Sequence, residues 1–254
     1  MNEWLKRKGV LMDLKFYIEL IKDTSLNQED LESCYCHIAS DITFVENKET
    51  DTQCFYLIKD NVMYITFRGT EKKLRDWMTD INAFQQVVPY DNSDSKIRVH
   101  QGLIAAYKSV RPRIMEFVRQ NNYRINRYKI IGHSLGGGLA TLCAVDIQYN
   151  ITPLISCYTM GSLMVGNKAF VDSYNKRVPD THRFYIRKDV AQWLPPEFFF
   201  KLTGKFCHVK QGVPIGPNDI FCGIKDMIRR KCTTRLLADL ANHSMELYEK
   251  YLLH

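Results

Sequence analysis

No stretch of this 254-residue chain approaches the roughly 20 apolar residues of a membrane-spanning helix. The opening, Met1 to Leu14, is interrupted by charges and does not read as a secretory leader. A cytoplasmic location is therefore expected. Among eight cysteines there is no Cys-x-x-Cys pair, and Cys34-Tyr35-Cys36 lacks a His-rich partner motif, which argues against structural zinc. Free thiols are the expected state in the absence of a leader. Neither GxGxxG nor GxxxxGK occurs, so a glycine-rich phosphate turn is excluded. Internal repeats and Pro/Gly-rich linkers are missing too, which points to one domain over 1–254 with residues 1–45 as a helical extension packed on it.

What is present is ordinary globular material. Apolar residues make up 45% and charged residues 25%, and the length suffices to bury a large core without staples. The net charge is +7, part of it clustered in Lys225, Arg229, Arg230, Lys231 and Arg235. No stacking or groove-reading motif accompanies the cluster, so nucleic acid is not expected. A solvated face, or a transient contact with an anionic membrane or lipid-droplet surface, suits it better.

Residues 10–40 carry helical spacing, with Leu14, Ile18, Ile21 and Leu31 on one stripe. Gln53 to Lys59 and Val62 to Arg68 are β-rich and flank Asp60-Asn61, which predicts an antiparallel hairpin. Leu103, Tyr107, Val110, Ile114 and Phe117 predict a long helix that Pro112 should kink. From there strands and helices alternate: Tyr128–Ile131, Leu135–Gln148, Leu154–Met160, Ala169–Lys176 and Arg183–Arg187, then a strand at Phe206–Gln211 and a helix at Leu236–Leu253. That alternation implies right-handed crossovers and an α/β fold built on a mostly parallel central sheet flanked by helices.

Chemistry concentrates at Gly132-His133-Ser134-Leu135-Gly136, on the predicted joint between strand and helix. A sharp strand-to-helix turn pushes a serine hydroxyl out toward substrate and crowds the backbone on both sides. Glycines two residues before and after relieve the crowding, which is the mechanical sense of G-x-S-x-G. A serine needs a base to become nucleophilic, and in this arrangement an acid and then a histidine follow it. His182 and His208 fall beside or within predicted strands, where packing roles suit them, and His254 ends the chain. His243, near the start of the last helix, is the favoured base. Asp189 closes the strand "RFYIRK" and is favoured over Asp172, in a helix, and Asp180, in a turn.

These stretches resemble the class-three, fungal-type lipases of the α/β-hydrolase superfamily. The matching segments run in order: "YITFRGT" (Tyr64–Thr70), "DWMTD" (Asp76–Asp80), "VHQGL" (Val99–Leu103), "IIGHSLGGGLATL", "TMGSLMVGN" (Thr159–Asn167), "RKDVAQWLPP" (Arg187–Pro196) and "HSMELY" (His243–Tyr248). The resemblance implies Ser134 as nucleophile, Asp189 as orienting acid and His243 as base, with backbone N–H groups of Thr70 and Leu135 as an oxyanion hole. It implies a lid over about 71–80, carrying Leu74, Trp77 and Met78, and suggests Leu163, Met164, Trp193 and Leu194 as substrate contacts. Two departures stand out: Ser162-Leu163-Met164 replaces the family's proline-bearing approach to the VGN stretch, and Asn242 replaces an aspartate before the base. The implied activity is hydrolysis of fatty-acyl esters of glycerolipids through an acyl-enzyme, with no cofactor and no metal. Phospholipase A1 or small-ester (feruloyl-type) activity is the alternative, and a catalytically silent lipase-like scaffold is the alternative of another class.

Overall fold

Asp60 and Asn61 both take positive φ, 52° and 59°. That left-handed backbone is tolerated best by Asn, Asp and Gly, and two such residues in succession make the turn that matches strand twist. Lys59 consequently pairs with Val62, and β2 (Thr52–Lys59) folds back on β3 (Val62–Phe67) as an antiparallel hairpin. The computed structural model describes residues 8–69, 85–87, 96–151, 154–195, 205–217 and 243–253.

The hairpin forms one side of a seven-stranded sheet. Beyond β2 lies β1 (Asp41–Asn47), antiparallel to it. On the other side β3 pairs in parallel with β6 (Arg127–His133), followed in parallel by β7 (Ile155–Met160), β9 (Thr181–Ile186) and β11 (Val213–Ile215). A second, antiparallel sheet contains β4 (Gln85–Val87), β5 (Arg98–His100), β8 (Gly166–Asn167) and β10 (Phe206–Cys207).

Helices cover both faces of the main sheet. α1 (Lys8–Lys22) and α6 (Met245–Leu253) pack together on one face, where Leu14, Ile18, Phe184, Tyr248 and Leu252 join a common core. α2 (Gln28–Tyr35) starts at Asn27, whose side chain accepts the Asp30 N–H at 3.0 Å, and inserts Leu31 into that core. The opposite face carries α3 (Gln101–Asn121), α4 (Leu135–Asn150) and α5 (Lys168–Arg177) over a core that includes Val110, Ile114, Leu139 and Phe170. Every residue of α4 from Leu135 to Ile147 is buried, as befits the central helix between sheet and α3. Asp146 is among them. It accepts Arg111 Nε at 2.6 Å, Arg111 Nη2 at 2.9 Å and the Tyr107 hydroxyl at 2.6 Å, so its charge is paired within the α3–α4 contact. Truncating Leu14 or Ile114, both fully buried, to alanine removes a packed side chain and costs about 2–5 kcal/mol.

Four expectations need correction. The segment 1–45 is not helical to its end: from Asp41 it is extended, as the outermost strand of the main sheet. Helix α3 runs unbroken through Pro112. The strand expected over Phe206–Gln211 reduces to Phe206–Cys207 in the small sheet, because Lys210 turns the chain at φ 52°. The strand next to β9 is β11, reached only at Val213. Of the helix expected over Leu236–Leu253, Met245–Leu253 is helical, and 236–242 lies outside the described residues.

Candidate active site

The last residue of β6 is His133 and the first of α4 is Leu135, so Ser134 alone makes the turn between them. It does so with φ 57° and ψ −126°, a strained backbone for a residue with a side chain. Its N–H is tied to Met160 O of β7 at 2.9 Å, and its carbonyl accepts Gly137 N–H at 3.0 Å. The flanking glycines are steric requirements. A Cβ on Gly132 would sit 2.2 Å from Gly136 O, and one on Gly136 would sit 2.2 Å from Phe67 O. The turn therefore exists only with hydrogen at both positions.

Asp189 lies in the turn beyond β9, three residues after Ile186, with its N–H on Ile186 O at 2.9 Å. It is fully buried. One carboxylate oxygen, Oδ1, accepts Ala191 N–H at 2.8 Å, and the other, Oδ2, faces His243 Nδ1 at 2.8 Å. Tyr248 donates its hydroxyl to the same Oδ2 at 2.6 Å and accepts Ile186 N–H at 3.2 Å. Burial, then the adjacent Asp189 charge, push the tyrosine's pKa well above its ordinary value, so it stays a donor. His243 sits two residues before α6 and is buried. The carboxylate contact at Nδ1 fixes a proton there and leaves Nε2 as the basic nitrogen.

His133 completes the arrangement from the nucleophile's own turn. Its Nε2 donates to His243 O at 2.8 Å, and its ring stacks on the His243 ring at 4.5 Å between centroids and 27° between planes. Burial, then the neighbouring His243, hold its pKa well below the ordinary histidine value. A neutral ring thus backs the imidazole that must gain charge during catalysis.

Ser134 Oγ and His243 Nε2 are both buried without a hydrogen-bond partner among the described residues. An orphaned buried polar atom costs about 1–3 kcal/mol, and here the two orphans are the proton donor and acceptor that a Ser–His pair needs. A cavity of about 550 Å³ opens beside Ser134, lined by Ile21, Lys22, Thr24, Ser25, Arg68, Gly69, His133, Met245 and Glu246. Leu135 opens α4, so its N–H has no intrahelical acceptor and stays available for an oxyanion.

The remaining expectations divide. Thr70, Leu74, Trp77 and Met78, the whole 71–80 lid and the basic cluster from Lys225 to Arg235 lie outside the described residues. Leu163 and Leu194 pack in the core and do not line the cavity at Ser134, while Trp193 is exposed and Met164 pairs its N–H with Leu194 O. His182 stacks on Tyr158 and meets Asp180 at 2.8 Å, and His208 meets Gln192 O at 2.5 Å, so both hold packing roles. Asp172 forms a surface pair with Lys168. The structure adds two residues that spacing alone did not single out, Tyr248 and His133; both stood inside quoted motifs. Among the described residues no cluster of His, Cys, Asp and Glu could hold a metal ion, and no helix is long and apolar enough to cross a membrane.

Comparison with known proteins agrees with this geometry. The chain is 28% identical over 176 residues to a lipase of Rhizomucor miehei, covering 65% of this chain and 47% of that protein. It is 29% identical over 181 residues to a lipase of Rhizopus niveus, covering 67% and 45%. The chain thus spans a little under half the length of these curated relatives. The solved structure of Rhizomucor miehei triacylglyceride lipase superposes with a TM-score of 0.68 at 24% identity, over 83% of this chain and 82% of that one, which shows the shared α/β-hydrolase fold. The family "Lipase (class 3)" matches residues 64–199, more than half of the sequence, and the chain belongs to that family.

Proposed function

We propose that the protein is a serine carboxylic ester hydrolase that cleaves fatty-acyl esters of glycerolipids. His243 Nε2 takes the proton of Ser134 Oγ as the oxygen attacks the ester carbonyl. The carbonyl oxygen gathers negative charge, and the Leu135 N–H, with a donor from the Thr70 segment, would stabilise it. The carbon–oxygen bond to the alcohol then breaks, and His243 returns the proton to the departing alkoxide. Water attacks the acyl-Ser134 ester by the same route and releases the fatty acid. Asp189 stays ionised throughout and steadies the imidazolium, and no metal or organic cofactor enters the scheme.

The observation that carries the reading is the alignment at one cavity of a strained, partnerless Ser134 with an imidazole whose far nitrogen is held by Asp189. The relatives named as lipases support the same chemistry. Hydrolysis of emulsified glycerol esters by the wild type, beside Ser134→Ala, tests it: the variant should fold normally and show no turnover. Equal activity in the variant refutes the assignment. Contact with an anionic membrane or lipid-droplet surface, and a cytoplasmic location, belong to the same proposal; binding to anionic against neutral vesicles checks the first and cell fractionation the second.

A further inference from the structure

General-acid chemistry decides which half of an ester the cavity beside Ser134 receives. His243 must hand a proton to the departing oxygen, so the alcohol half lies on the histidine's side of the nucleophile. Met245 and Glu246, two and three residues beyond His243, line the cavity. So do Ile21, Lys22, Thr24 and Ser25, from the end of α1 and the turn after it. The cavity is therefore the seat of the alcohol rather than of the acyl chain. Its volume of about 550 Å³ falls within the ordinary range of small-molecule sites, roughly 300–1,000 Å³.

The wall does not suit a hydrocarbon. Only Ile21 and Met245 among the lining residues bring large apolar side chains, whereas Lys22, Arg68 and Glu246 bring charge and Thr24 and Ser25 bring hydroxyls. Lys22 is already paired with Glu249 at 2.5 Å. Arg68 donates from its guanidinium to Gln53 Oε1, a neutral acceptor. No ion pair joins Arg68 or Glu246 to another described residue. One cavity thus holds an uncompensated guanidinium and an uncompensated carboxylate. A guanidinium fork matches phosphate oxygens, and a carboxylate matches an ammonium. The diacylglycerol released from a triacylglycerol carries two hydrocarbon chains and no charge, so it would leave both groups desolvated and unpaired.

Building on the ester-hydrolase reading, we infer that this cavity receives the zwitterionic head of a phosphoglyceride, and that Arg68, Glu246 and Lys22 select phospholipid esters over triacylglycerol. Lys22 and Glu246 both lie outside the family-matched span of 64–199, so this selectivity belongs to the terminal segments and not to the shared motifs.

The experiment compares dioleoylphosphatidylcholine with triolein in the same detergent micelles, and tests sn-glycero-3-phosphocholine against glycerol as inhibitors of p-nitrophenyl butyrate hydrolysis. The phospholipid should show the higher kcat/KM, and glycerophosphocholine should inhibit competitively where glycerol does not. Arg68→Gln should lower kcat/KM for the phospholipid about tenfold, chiefly through KM, and move triolein far less. Because Arg68 adjoins the oxyanion segment, Glu246→Gln provides an independent arm, with the loss again expected in KM for phosphatidylcholine. Faster triolein turnover with no inhibition by glycerophosphocholine overturns the inference while leaving the hydrolase reading intact. Equal losses on both lipids in both variants do the same. Failure to turn over any ester, with no fluorophosphonate labelling of Ser134, overturns the hydrolase reading and this inference with it.

Discussion

Tyr248 and His243 meet at a single atom: Asp189 Oδ2 takes the tyrosine hydroxyl at 2.6 Å and faces His243 Nδ1 at 2.8 Å. The tyrosine comes from α6, five residues beyond the histidine, so one helix entry delivers both partners of the acid.

Tyr248→Phe removes the hydroxyl and keeps the ring in the core. Asp189 then loses one of three donors and swings more freely. We expect kcat to fall about tenfold with KM little changed, the equivalent of losing one hydrogen bond of about 1.4 kcal/mol. Steady-state kinetics on a soluble ester, with circular dichroism to confirm the fold, decide it; an unchanged kcat would show that the tyrosine only packs.

Gly161→Ala is a second probe of the same carboxylate. Gly161 has φ 56°, and a Cβ there would lie 2.6 Å from Asp189 Oδ2, 2.8 Å from Tyr248 Oη and 3.0 Å from His243 Cε1. The methyl must displace the acid, the base or both. Esterase activity should drop by at least about a hundredfold, in line with the sensitivity of catalysis to shifts near 1 Å. A fully active alanine variant would mean that the triad is far looser than its packing suggests.

Acid should destabilise the protein through His133. Burial, then the neighbouring His243, depress its pKa in the folded chain, whereas the unfolded chain takes up the proton near the ordinary value of about 6.5. Stability from this group is therefore full above that pH and is lost as pH falls below it, at about 1.4 kcal/mol per pH unit. Urea unfolding at pH 7, 6 and 5 should show a steeper loss for the wild type than for His133→Gln. Parallel slopes would remove His133 from the account.

Away from the site, Asp146→Ala should unfold the α3–α4 contact. The substitution strands Tyr107 and Arg111, and Arg111 is only partly shielded from water, so the expected cost is about 2–4 kcal/mol. Thermal unfolding reads it directly, and a change below about 0.5 kcal/mol, typical of surface sites, would contradict the buried-pair description.

The sequence disclosed whatever rests on local chemistry. Asp60-Asn61 announced its turn because only a few side chains accept positive φ, and Gly132 and Gly136 announced the elbow because nothing larger fits. Less legible were features set by neighbours. β1 is an edge strand whose burial is mostly partial, so Asp41–Asn47 shows no clean alternation. β8 and β10, at two residues each, are too short to carry a period. Asp189 and His243 could be ranked by place in the chain, yet no spacing rule foretold that the His133 ring would lie against the His243 ring. That contact joins residues 110 apart and exists only once β6 and the approach to α6 are side by side.

The sheet order has a practical corollary for dissecting the molecule. Trimming the chain to 64–199 would discard β1, β2 and β11, expose both flanks of the remaining strands to solvent, and remove the imidazole donor together with the α1–α6 layer. Such a fragment would keep the signature by which relatives are recognised and lose the means of using it. Truncations for expression or crystallisation should therefore begin before Leu14 and retain the chain through Leu252.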